Sequence, residues 1–95
     1  MVCGDQEAAH DQQLSYLLQD CAASIHNLLL CAHAFGLGAR WLGIHSREKR
    51  IESVRELLGL PMSVIPVSCV SLGWPGEIKE ARTRFNPAFV HSEKW

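Results

Sequence analysis

The chain has 95 residues, nine Lys and Arg against ten Asp and Glu, and 47% hydrophobic residues. That length is one domain or a piece of one, with a core that removes roughly 60–70% of the unfolded surface, and the hydrophobic share excludes wholesale disorder. A net charge of −1 leaves no electrostatic footprint for nucleic acid or an anionic membrane.

Met1–Asp5 (MVCGD) reads as the last residues of a strand, Val2 and Cys3, stopped by a Gly4-Asp5 turn. No basic segment followed by an apolar run opens the chain, so there is no secretory-signal pattern. Gln6–Gln13 is polar and reads as a loop with a short helical turn.

The stretch Leu14–Ile44 organises the rest. A helix is expected from about Ser15 to Phe35, because Leu14, Leu17, Leu18, Cys21, Ile25, Leu28, Leu29, Ala32 and Phe35 recur at spacings of three and four. Its other side is not charged: it carries Ala22, Ala23, Leu30, Cys31 and Ala34, broken only by a few polar residues. A helix apolar all round is normally buried all round, and so short a chain can hardly do that alone. The helix therefore calls for more protein around it. Gln19, Asp20, His26, Asn27 and His33 interrupt it too often for a bilayer span, and no apolar run approaches about 18 residues, so no membrane partner is expected. Ser15 stands where a cap hydroxyl would, and Gly36 or Gly38 can take the left-handed conformation that closes the helix.

Ala39–Ile44 (ARWLGI) reads as a strand. Arg47–Leu58 follows as a one-sided amphipathic helix, with Ile51, Val54 and Leu58 on one face and Leu57 at its flank. Ser46 is its expected cap, Gly59 and Pro61 its stop, and Glu52 and Glu56 each have a basic residue three or four positions away. Met62–Leu72 is β-branched and partly alternating, and Pro66 within it favours an edge position or the strand's beginning. Gly73-Trp74-Pro75-Gly76 is a strong stop. Glu77–Trp95 reads as an extended tail with one turn at Asn86-Pro87, and its final Trp95 is expected to pack against something.

Side-chain chemistry is sparse. Cys3, Cys21, Cys31 and Cys69 lie in apolar runs without a Cys-x-x-Cys, and read as buried reduced thiols in a reducing compartment. Cys31 and His33 point about 200° apart on a helix, and His26 and His33 lie two turns apart, so no metal site is expected. There is no Gly-x-Ser-x-Gly. Arg82 and Arg84 alternate onto one side of the tail and could grip a phosphate, though a solvated charged tail is the plainer reading. Gly43 permits a flat ligand to approach the backbone closely.

Taken in order, Val2-Cys3-Gly4-Asp5, Gln19-Asp20-Cys21-Ala22-Ala23, Asn27-Leu28-Leu29-Leu30, Ala32–Gly38, Trp41-Leu42-Gly43, Arg55–Pro61, Leu72–Pro75, Arg82–Phe85 and His91–Trp95 resemble the nitroreductase family of flavin enzymes. The resemblance spans nearly the whole chain, and the ordered set carries it rather than any single motif. It implies an α+β fold: the C-terminal half of a nitroreductase-like sandwich, with a long central helix, antiparallel strands and an extended C-terminal tail, over residues 1–95. It implies FMN as cofactor, NAD(P)H as electron donor, a ping-pong route to nitroaromatic or quinone-like acceptors, and a homodimer formed through helix 15–35 and the tail. It assigns Leu42, Gly43 and Ile44 to the flavin ring, with a backbone N–H to N5, and Arg82 and Arg84 to the ribityl phosphate. No side chain is expected to act as a catalytic acid or base. The family's Arg-rich N-terminal part has no counterpart here, which predicts poor or absent FMN binding by this chain. A cytoplasmic location is expected. The alternative is a non-catalytic piece that works by dimerising or by complementing a separate N-terminal half.

Overall fold

A computed structural model describes residues 1–95. The ordered elements are β1 (Val2–Asp5), α1 (Leu14–Ala34), β2 (Gly38–Gly43), α2 (Glu48–Leu58) and β3 (Val64–Gly73). Single 3-10 turns sit at His10–Gln12 and Pro87–Phe89. The architecture is α+β, with a three-stranded antiparallel sheet in the order β1-β3-β2.

The helix α1 takes up the expected stretch, but Gln13 rather than Ser15 is its N-cap, without a side-chain hydrogen bond. Ser15 already lies inside the first turn, where its carbonyl accepts from Gln19 Nε2. At the other end Gly36 has φ 74°. Leu37 N donates to Ala32 O and Gly36 N to His33 O, both at 2.9 Å, the paired bonds of a Schellman closure. The same closure recurs at Gly59, φ 63°, where Leu60 N donates to Arg55 O at 3.0 Å. There the Arg55 guanidinium also donates to the carbonyls of Leu60 and Pro61, so α2 is secured more firmly at its end than at its start. Its N-cap is Arg47 and not Ser46, and no side chain caps it. Neither Glu52 nor Glu56 forms an ion pair; on an exposed helix such pairs are worth only tenths of a kcal/mol.

Of the two places expected for Pro66, the edge is excluded because β3 is the central strand, and the other agrees, since Pro66 is near the beginning of Val64–Gly73. The strand is shared lengthwise: Val64–Ser68 pairs with β1, and Ser68–Gly73 pairs with β2. Pro66 lies opposite Cys3, where the β1 register slips between Val2 and Cys3. A missing donor is tolerated at such an irregularity.

The core sits between α1 and the sheet. Leu17, Cys21, Ile25 and Val67 form its centre, with Val2, Leu14, Leu18, Leu29, Ile65 and Val70 around it. Gly4 is required for this contact: a Cβ there would stand 2.6 Å from Leu17 side-chain atoms. The core is small, with 8 of 95 residues buried. The accessible surface of 8011 Å² compares with roughly 5,500 Å² expected for a folded monomer of this mass. The radius of gyration is 16.5 Å, against about 12 Å for a compact chain of this length.

Part of the surplus is the tail, which is exposed throughout and whose 3-10 turn contacts no other element. That turn is closed by Asn86 Oδ1, which accepts from Ala88 N at 3.0 Å. Trp95 does not pack into the body; it touches only the His91 ring, 4.3 Å between centroids. The rest of the surplus is on α1. Opposite its buried face, Tyr16, Ala23, Asn27, Leu30 and Ala34 form an exposed stripe, and Phe35, expected on the buried face, is 72% exposed.

Candidate functional site

The end of β2 is the point where backbone polarity is left unspent. β2 pairs with β3 on one side only, so its other edge is open. Just past the strand, Ile44 N and His45 N both donate to Val67 O at 3.1 Å. Ile44 therefore directs its N–H toward β3. In an antiparallel ladder neighbouring residues alternate, so Gly43, opposite Ser68, turns its N–H and its carbonyl to the open edge. The carbonyl is taken: Arg50 Nη1 donates to Gly43 O at 2.9 Å. The N–H remains as a free donor.

The face of the strand is uncovered at the same residue. A Cβ at Gly43 would meet only His45 O, at 4.0 Å. Leu42 beside it is exposed and Ile44 is buried, so the first can flank a ligand while the second anchors the turn to the core. The hollow next to this edge is lined by Ser46, Arg47, Glu48, Lys49 and Arg50, all polar. The largest hollow lies elsewhere, at the far end of β2 and β3 among Gly38, Arg40, Ser71, Gly73, Trp74 and Glu77.

Leu42, Gly43 and Ile44 are thus brought together, and Arg82 and Arg84 are not brought to them. Both arginines lie in the exposed segment after β3, and neither makes a hydrogen bond or ion pair. The ring-facing end of an FMN site fits the residues present; the phosphate-facing end is not assembled within one chain. Arg50 was missed from sequence, where it is one of several charges on an amphipathic helix. Its role follows from the short turn 44–47, which brings the first turn of α2 back over the strand end.

The cysteines are all free, but of the four expected to be buried only Cys21 is; Cys3 and Cys69 are half-buried and Cys31 is exposed. Burial pushes the Cys21 thiol above the ordinary 9.0, with the Asp20 charge and Cys3 adding to it. Burial also raises Cys3, partly offset by the N-terminal charge. No three His, Cys, Asp or Glu residues come together as a metal-binding group, and no helix is long and apolar enough to cross a membrane.

The nitroreductase family pattern matches residues 3–74. The chain belongs to the nitroreductase family. A relative from Archaeoglobus fulgidus, provisionally named an NADH dehydrogenase/NAD(P)H nitroreductase, is 43% identical over 98 residues, covering 100% of this chain and 56% of the relative. A crystal structure from Parabacteroides distasonis with the same provisional name superposes at a TM-score of 0.87 with 32% identity, over 98% of this chain and 53% of that one. The fold is also that of a protein from Clostridium difficile named an FMN-dependent nitroreductase, at a TM-score of 0.85 and 23% identity, over 98% of this chain and 55% of that one. This nitroreductase-family chain spans about half the length of the curated relatives it matches, or less.

Proposed function

We propose that this chain forms the flavin-facing part of an FMN-dependent NAD(P)H oxidoreductase that acts on nitroaromatic or quinone-like acceptors by a ping-pong route. The observation that carries the reading is the free Gly43 N–H on the open edge of β2, beside the tethered Gly43 carbonyl and an uncovered strand face. Bound FMN would supply the hydride chemistry; the protein's part is to hold and tune it. In this reading Gly43 N–H donates to flavin N5, Leu42 flanks the ring, and Ile44 keeps the turn seated on Val67. Arg82 and Arg84 hold the ribityl phosphate, and no side chain of the chain serves as acid or base. The chain corresponds to the C-terminal half of the nitroreductase domain and works in the cytoplasm as a homodimer through helix 15–35 and the tail. The names of the relatives support FMN and NAD(P)H, and the exposed stripe on α1 supports the dimer.

The test is a flavin fluorescence titration of the purified chain up to millimolar FMN, with NAD(P)H and then a quinone added to the mixture. Saturable quenching of the flavin, with its absorbance bleached by NAD(P)H and restored by the quinone faster than for free FMN, is the expected result. Flavin fluorescence that ignores the chain over that whole range refutes activity for this chain. The small core and surplus surface favour a second reading in that event: a non-catalytic piece that acts by association, recognised as a dimer, or a complex with a separate N-terminal half, that carries no flavin.

A further inference from the structure

We infer that Arg50 is a positioning residue for the flavin-facing backbone, holding the Gly43 peptide in the orientation that presents its N–H to the ring. The inference rests on the assignment of Gly43 above and adds a residue on a different element. Glycine is the position where the β2 backbone is least fixed by its own sterics. Its neighbours are held: Leu42 is within the ladder opposite Cys69, and Ile44 N is bonded to Val67 O. Gly43 faces away from β3 and gains nothing from it. The Arg50 guanidinium supplies the missing restraint, with a charge-assisted bond of 2.9 Å to the Gly43 carbonyl. No carboxylate stands within ion-pair distance of Arg50, so no ion pair competes with the Gly43 carbonyl for its donors.

The arrangement is also economical in sequence. Arg47 N donates to Ile44 O at 2.9 Å, and Arg50 N and Ile51 N both donate to Arg47 O. The turn and the first turn of α2 are therefore one hydrogen-bonded unit, and Arg50 is placed over Gly43 by that unit rather than by a flexible loop. A lysine at 50 keeps the charge but gives up the planar fork.

The amide spectrum of the isotope-labelled chain tests this before any flavin is added. Arg50→Ala is expected to shift and broaden the Gly43 and Ile44 resonances while helix content stays unchanged by circular dichroism. Arg50→Lys restores them in part, and Arg47→Ala, the same change in charge without the bond, leaves them in place. FMN is then titrated to millimolar concentration, which reads even weak binding. The flavin-induced shift at Gly43 is expected to need about tenfold more FMN in Arg50→Ala, the loss of one charge-assisted hydrogen bond. Gly43 and Ile44 resonances that superimpose in wild type and Arg50→Ala overturn the inference. A tether that is present while wild-type Gly43 ignores FMN overturns the flavin assignment instead, and the purpose given to the tether with it.

Discussion

Substituting Leu30 by Glu tests whether the exposed stripe of α1 is an interface between two copies of the chain. Leu30 is 56% exposed and lies opposite the buried face of Leu17, Cys21 and Ile25. Glu is as good a helix former as Leu, and the position touches no core residue, so the monomer should be unharmed. Complete burial of a Leu side chain is worth about 1.5–3 kcal/mol, so covering the exposed half yields about 1–1.5 kcal/mol. A twofold dimer uses the position twice. The lost apolar contact alone is then about 2–3 kcal/mol, a weakening of roughly 30- to 150-fold, and a desolvated carboxylate adds to it. Sedimentation velocity over about a hundredfold range of concentration reads this directly, because dimer fraction follows mass action. Wild type should move from monomer toward dimer across the range, and Leu30→Glu should remain monomeric. A wild-type chain that sediments as a single monomer throughout, or a variant that associates like wild type, refutes the argument from the uncovered stripe.

Other consequences concern the core and the thiols. Ile25→Ala empties the one fully buried aliphatic side chain of α1, 0% exposed, and should cost about 2–5 kcal/mol, read as an earlier urea midpoint. Gly4→Ala forces a Cβ against Leu17 and should lower stability by about 1–3 kcal/mol, whereas Gly73→Ala meets nothing within 4 Å and should cost less. Alkylation by iodoacetamide at neutral pH, followed by mass spectrometry, should label exposed Cys31 first and Cys21 last. Because burial raises the Cys3 and Cys21 thiols, the folded state favours their neutral forms. Their contribution is complete below the ordinary value of 9.0 and is lost as pH rises through the raised values. The midpoint temperature of unfolding should therefore fall above about pH 9, and Cys21→Ala should flatten that decline.

Much of the fold was legible because its signals are local. The apolar period of α1, the charged face of α2 and the β-branched run of β3 each depend on residues near one another, and the glycines at 36 and 59 close both helices as expected. The misreadings concern what is decided at a distance. Pro66 left an edge and a strand's beginning both open because its effect on a ladder is local, while the strand order that decides between them depends on β1, some sixty residues away. Trp95 and Phe35 were expected to be covered because they are large and apolar, but one chain has nothing to cover them with. At the site, the family resemblance singled out Leu42, Gly43 and Ile44. Which N–H is free was legible only once the Ile44–Val67 bond fixed the alternation. Arg50 needed the turn 44–47 in three dimensions, because seven residues of sequence do not reveal a contact across a strand end.

The central place of β3 also sets the order in which the molecule can be made. Neither β1 nor β2 pairs with anything except β3, and β3 is the last of the three to be synthesised. Until residues 64–73 are out of the ribosome, β1 and β2 are edges without a sheet and α1 is an apolar helix without a surface to lie on. Pairing of Val2 with Ser68 must close a loop of about sixty residues, the kind of non-local contact that slows folding. A nascent chain stalled before Val64 would leave the face of α1 that packs on this sheet without its partner strand, making it a substrate for holding chaperones and prone to aggregation. Ribosome-bound lengths that end just before and just after β3 should differ sharply in protease resistance.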